Sequence, residues 1–379
     1  GGGENADRSF VNNAGEESEH MDRVSRRDFV RGVAGLGAAV LGIPGTARAQ
    51  GAAPREVKGF LTTADVEKAE KEGALVFYGA EIERQLIDVL QAFSKLFPKI
   101  DTSKYLREQT GRLYGKLTAE RRAGTYLADV CDLTDIAIAR DFQKNGGWAR
   151  YLSPHVKAYE PRFQSEAPGH FTWCGADVVG IAYNTNLVPA AEAPKNWKDL
   201  LDPKWRGLLN FKDSASGWQG IQWLLFPKMY GDRFWKDMAD QKPRGLASVT
   251  QQYERLISGE DKINGIAQFS VYLKNKEKGA PIAFVFPPDG VIVGPTVTGI
   301  VDRAPHPEAA RLFVDWLLSP VGQAAYVKAN YYYSLRKDVA PPPGGRPIAE
   351  MKLLVPDWNE SVATHGQYVK EWNTLVGLR

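Results

Sequence analysis

Few side chains in this chain are spaced for bond-making chemistry. There is no G-x-S-x-G elbow, no H-E-x-x-H pair and no G-x-x-x-x-G-K-[ST] phosphate loop. The 5 histidines are scattered, and 2 cysteines exclude both a four-thiolate zinc site and a disulfide scaffold. Cys131 sits in the apolar run Leu127-Ala128-Asp129-Val130-Cys131-Asp132-Leu133, which suits a buried, inert thiol better than a nucleophile. In an oxidising compartment it could pair with Cys174. What the chain offers instead is recognition chemistry. Asp213-Ser214-Ala215-Ser216-Gly217-Trp218 places small hydroxyl residues and a glycine before an apolar run with Ile221, Leu224 and Leu225. Such a stretch opens a helix whose N–H groups and dipole favour an anion by about 0.3–1 kcal/mol. The same serines serve equally as plain N-caps, worth about 1 kcal/mol and unrelated to any ligand.

The elements that would position these residues alternate. Thr63 to Gly73 predicts a charged helix with Thr63 as N-cap and Gly73 as terminator. Leu75-Val76-Phe77-Tyr78 is a continuous apolar run, as in a strand buried on both faces. Glu83 to Phe97 carries Leu86, Val89, Leu90, Phe93 and Phe97 at helical period and stops at Pro98. A helix over 111–123, a strand over 127–133, a helix over 136–145, a strand over 178–184 and a short helix from Trp197 to Leu201 continue the series. Strands alternating with helices predict a parallel-rich α/β fold. Pro341-Pro342-Pro343-Gly344-Gly345 reads as a surface turn.

At 379 residues, with 43% apolar and 25% charged residues, the chain is long enough for two lobes and too hydrophobic for disorder. A net charge of +3 argues against a dedicated nucleic-acid binder. Residues 1–20 are polar and read as an upstream extension outside any fold. Over 21–49, Ser25-Arg26-Arg27-Asp28-Phe29 precedes a small apolar stretch from Val33 to Ile43 and the cleavage-type triplet Ala47-Arg48-Ala49. That order resembles a twin-arginine signal, so a periplasmic location is expected. The apolar stretch is about half of the roughly 20 residues a spanning helix needs. Gly35-Leu36-Gly37-Ala38-Ala39-Val40 has glycines spaced as in a dinucleotide fingerprint but no preceding strand.

Five further segments, in order, carry a family resemblance. Lys71-Glu72-Gly73-Ala74-Leu75-Val76-Phe77-Tyr78-Gly79 resembles the opening strand of extracellular solute-binding proteins of bacterial ABC importers. Ala119-Glu120, Ala123-Gly124 and Ala128-Asp129-Val130 are similar to that family's first-lobe helix and strand. Gly180-Ile181-Ala182-Tyr183-Asn184 resembles its crossover strand, and Trp197 to Gly207 the start of its second lobe. Pro307-Glu308-Ala309-Ala310 with Leu318-Ser319-Pro320 and Gly322-Gln323 resembles its closing helix pair. The resemblance spans Val57 to Val339. It implies an α/β, two-lobed type 2 periplasmic-binding-protein fold with two crossover strands, ligand between the lobes and hinge closure onto a membrane permease. Lobe 1 is then expected over 54–178 and 296–379, and lobe 2 over 179–295.

In such a fold the ligand lies beyond the carboxyl ends of strands, against helix N-termini. The resemblance therefore implies contacts at Ala80 and Glu81, at Thr110, Gly111 and Arg112, and at Thr134 and Asp135. On the second lobe it implies Ser214, Ser216, Gly217, Trp218, Phe269 and Ser270. Arg112 is either a bidentate clamp on a carboxylate or phosphate or a solvated helix-face arginine. Trp218, Phe269 and Tyr272 are either an apolar cleft wall or core. The family's ferric branch uses two adjacent tyrosines, commonly with a histidine and a glutamate. Aligned here, those places fall at Phe269 and Ser270, Ile82 and Thr134, which offer a ferric ion no anionic oxygen. Tyr331-Tyr332-Tyr333 precedes a different family segment and reads as packing or cleft-rim aromatics. No metal and no cofactor is expected. The expectation is a monomeric, non-enzymatic protein delivering a small anionic organic solute (carboxylate, phosphonate or organophosphate) to an ABC permease. The alternatives are ferric-ion binding, ligand sensing for a sensor kinase, and a periplasmic hydrolase.

Overall fold

The computed structural model describes residues 53–214 and 217–376, so the expected extension over 1–20 and the twin-arginine segment over 21–49 lie outside the described residues. The first long helix shows how the sequence builds its elements. Glu83–Leu96 buries Leu86, Val89, Leu90 and Phe93 on one stripe and ends before Pro98, which cannot continue a helix. Its predecessor starts later than the spacing predicts. It spans Val66–Glu72, and its N-cap is Asp65, whose carboxylate accepts from Lys68 N at 3.1 Å. Thr63 instead pairs its hydroxyl with that of Tyr151. Gly73 closes this helix in the left-handed region (φ 71°), donating to Ala69 O.

Among the described residues, ten strands form one sheet. At one end, Phe77–Gly79 lies parallel between Tyr105–Arg107 and Val130–Leu133. At the other, Leu209–Lys212 lies parallel between Arg244–Leu246 and Ile263–Gln268. The two halves meet through Thr172–Asn184 and Val291–Ile300, which pair antiparallel with each other. Val291–Ile300 pairs antiparallel with Val130–Leu133, and Thr172–Asn184 pairs antiparallel with Ile263–Gln268. The expected parallel pairing therefore holds on the flanks, while the centre is antiparallel. Thr172–Asn184 also begins six residues before the expected strand. Every one of its 13 residues is buried. It therefore shows no in-out alternation, and the Cys-Gly-Ala-Asp stretch of its first half reads locally as a turn.

Buried side chains gather mainly in two large clusters. The first holds Phe93, Phe97, Phe142, Trp173, Phe313 and Trp316; the second holds Trp197, Phe211, Phe226, Trp235 and Trp372. Along the two long central strands, membership changes between Ala176 and Val179 and between Ile292 and Val293. The closing helix Trp358–Leu375 sends Tyr368 and Trp372 into the second cluster, and its first residue, Trp358, packs against both.

Candidate functional site

A cavity of about 680 Å³ opens where the strands end. Ala80, Glu81 and Ile82 follow the strand Phe77–Gly79, Thr134 and Asp135 follow Val130–Leu133, and Gln268 ends Ile263–Gln268; all line it. This is the carboxyl-end crevice in which open α/β sheets bind ligands. Three helices reach the same region; in two no side chain caps the first turn, and in the third Asp177 accepts from Ser270 N at 3.2 Å. Their N-caps are Ile82 for Glu83–Leu96, Gln109 for Thr110–Arg122 and Gln268 for Phe269–Glu277. Each presents the positive end of its dipole. Thr110 and Gly111, the first two residues of the second of these helices, line the cavity.

The wall near Glu81 is a buried polar cluster. Glu81 accepts hydrogen bonds from the hydroxyls of Thr296 and Tyr326, the latter at 2.9 Å. Burial pushes its carboxyl above the usual range, against the opposing pull of those hydroxyls and of Lys274. Asp132 accepts from Ala80 N at 2.7 Å and is held well above its usual range, first by burial and then by the charge of Glu81. Asp177 accepts from Ser270 Oγ at 2.6 Å and from the backbone N–H groups of Ser270 and Val178. Burial pushes it up to about 7.

Aromatic side chains from two helices also line the cavity. Trp218 enters from the helix Gly217–Tyr230, together with Gly220, Ile221 and Trp223. The closing helix adds Trp358, Ser361, Val362, Thr364, His365 and Tyr368. Trp218 can lie against the central strand only because residue 294 is glycine: a Cβ there would sit 1.8 Å from the indole ring. Gly294→Ala is therefore expected to expel Trp218 and cost about 1–3 kcal/mol through overpacking. Thermal unfolding and tryptophan emission would check this, and an unchanged melting temperature with unshifted emission would refute it.

Of the side chains expected at the site, Ala80, Glu81, Thr110, Gly111, Thr134, Asp135 and Trp218 line the cavity. Two of these spend their polar groups locally: Thr134 N donates to Thr110 Oγ1 at 3.1 Å, and Asp135 caps the helix Ile136–Lys144 through Ile138 N. Arg112 does not line it. Its side chain is 73% exposed and pairs with Glu108 at 3.3 Å, because position 112 falls on the outer face of its helix. Phe269 is core, packed against Phe284, Phe286 and Tyr333, and Ser270 is consumed by Asp177. Ser214 is half-buried and outside the lining, Gly217 opens its helix, and Ser216 lies outside the described residues. Tyr332 lines the cavity, whereas Tyr331 terminates a helix and Tyr333 is buried. The closing helix carries the residues that sequence reasoning missed, although Trp358, Val362 and Trp372 recur at four- and ten-residue steps. Cys131 and Cys174 are free and buried, and burial pushes both thiols well up, away from thiolate chemistry.

The sequence profile described as bacterial extracellular solute-binding protein matches residues 127–364. The chain belongs to this family. Its members are periplasmic solute-binding components of ABC transporters, and among the described residues no helix is long and apolar enough to cross a membrane. An uncharacterised protein of Haemophilus influenzae is 27% identical over 268 residues, covering 67% of this chain and 75% of that protein. Two solved structures share the fold. One is the periplasmic binding protein AfuA from Actinobacillus pleuropneumoniae with fructose-6-phosphate bound (TM-score 0.65, 22% identity, 81% of this chain and 99% of that one). The other is iron-bound HitA from Pseudomonas aeruginosa (TM-score 0.65, 21% identity, 78% and 99%). This solute-binding protein thus has the type 2 periplasmic-binding fold, and its two antiparallel central strands are the crossovers.

Proposed function

We propose that this solute-binding protein is a monomeric, non-enzymatic receptor that captures a small organic acid in the cavity and hands it to an ABC permease. The observation that carries this reading is the convergence of two helix N-termini without side-chain caps, at Ile82 and Gln109, on one cavity at the strand ends. The two lobes would be 54–178 with 296–379, and 179–295. The change of core membership on both crossover strands supports those limits, with the closing helix Trp358–Leu375 bridging the seam. Hinge closure would act at the crossovers, and export would use the twin-arginine segment over 21–49. HitA is iron-bound, yet the places aligned with the ferric ligands are Ile82, Thr134, Phe269 and Ser270. Phe269 and Ser270 are spent inside the fold, and Ile82 and Thr134 are neutral. An organic solute therefore suits this cavity better than a bare ferric ion.

A thermal-shift screen against carboxylates, phosphonates, organophosphates, amino acids and ferric salts tests the proposal. A ligand at about 100 times its Kd should stabilise the protein by roughly 2.7 kcal/mol and be recovered unchanged. Stabilisation by ferric salts alone, or conversion of the ligand, would overturn it. Arg112→Ala is expected to leave the affinity of any hit within about twofold, since its charge is spent on Glu108 in solvent. A loss of tenfold or more by titration would return Arg112 to the site.

A further inference from the structure

The cavity has two faces of opposite polarity, and one charge on the ligand satisfies only one of them. The uncapped N-termini at Ile82 and Gln109 suit an acid group. Among the described lining residues, however, there is no Lys or Arg, and the carboxylates are Glu81 and Asp135. Glu81 is 4% exposed, lines the cavity, and is backed by Asp132 and Asp177, with Lys274 as the nearby cation. The rings of Trp218, Trp358 and Tyr368 line the same cavity. A buried carboxylate that shares a cavity with aromatic rings is an environment for an ammonium group. A simple anion would leave Glu81 and the aromatic rings without a cation, and a simple amine would leave the helix N–H groups without an acceptor.

We propose that the ligand is a zwitterion, with its acid group at the helix N-termini and its ammonium between Glu81 and the aromatic wall. This rests on the reading of the cavity as a solute site and narrows the class of solute. Glu81 is faced by Thr296, Tyr326 and Tyr332, by Asp132, Asp177 and Cys174, and by Lys274. Burial holds its carboxyl above the usual range and an arriving ammonium opposes that shift, so affinity for the zwitterion rises with pH. For the corresponding acid without an amine, affinity does not rise.

Calorimetric titration with matched sets tests this, using α-amino acids, ω-amino acids and aminoalkylphosphonates, each beside its desamino acid and its acid-free amine. At least one zwitterion should bind ten times more tightly than both partners, about 1.4 kcal/mol. Glu81→Gln should abolish that preference while leaving the desamino acid within about twofold. Equal affinity for acid and zwitterion, binding of amines alone, or a preference that survives Glu81→Gln overturns the zwitterion and leaves solute capture standing. Silence across all sets in folded protein overturns capture by this cavity as well. If Glu81→Gln does not fold, the wild-type ratios and their pH dependence decide.

Discussion

Asp177→Asn is expected to stabilise the protein by roughly 3 kcal/mol more at pH 8 than at pH 5. Asp177 lies on the crossover strand Thr172–Asn184, fully enclosed beside the cavity. Burial raises its carboxyl from 3.8 to about 7, the charge of Glu81 pushes the same way, and hydrogen bonds from Ser270 and Val178 oppose. A carboxyl whose folded-state pKa lies above its unfolded value favours the fold fully below about pH 4 and loses that contribution as pH rises through about 7. The wild type should therefore be less stable at pH 8 than at pH 5. Glu81 and Asp132, raised by the same burial, add to the trend. Asparagine keeps an acceptor for the backbone N–H of Ser270 and carries no charge to bury. Urea unfolding of both proteins at the two pH values measures the effect. Equal gains at pH 5 and pH 8 would show that Asp177 ionises normally within the fold.

Trp372→Ala should cost about 3–5 kcal/mol and loosen ligand binding at the same time. The indole is fully buried, its ring centroid 5.0 Å from that of Trp235 and 5.9 Å from that of Phe211, and its Nε1 donates to Lys212 O at 2.9 Å. It pins the last turns of the closing helix to the second core. The same helix presents Trp358, Ser361, His365 and Tyr368 to the cavity, so a slackened anchor displaces a whole wall. Trp372→Phe keeps the ring contacts and loses one hydrogen bond, for about 1 kcal/mol. Denaturant unfolding orders the series, and a loss below 1 kcal/mol for Trp372→Ala would mean the helix is held elsewhere.

Local patterns carried much of the fold. The apolar period from Leu86 to Phe93 and the glycine after Glu72 set the first helices within a few residues of their observed limits. The ordered family segments placed the crossover strand, and the strand ends that face the cavity were found at Ala80, Thr110 and Thr134. Where local signals competed, the reading slipped. Thr63 and Asp65 are both acceptable caps, and only the docking of Thr63 against Tyr151 left Asp65 to cap the helix. The first half of Thr172–Asn184 has neither alternation nor a β-branched run, because a strand buried on both faces needs no alternation.

The sequence by itself determined the class of protein, the α/β alternation and the loops from which a ligand would be held, since these follow from periodicity, caps and an ordered set of motifs. Tertiary structure alone decided which side chains reach the cavity. Arg112 and Ser270 have binding chemistry in their side chains, but one turn of helix points Arg112 to solvent and a buried Asp177 consumes Ser270. Trp358 and His365 lie about 280 residues along the chain from Glu81 and still share its cavity. Spacing in sequence encodes the face of a helix. It does not encode what that face meets, which is settled only when two cores pack around the crossover strands.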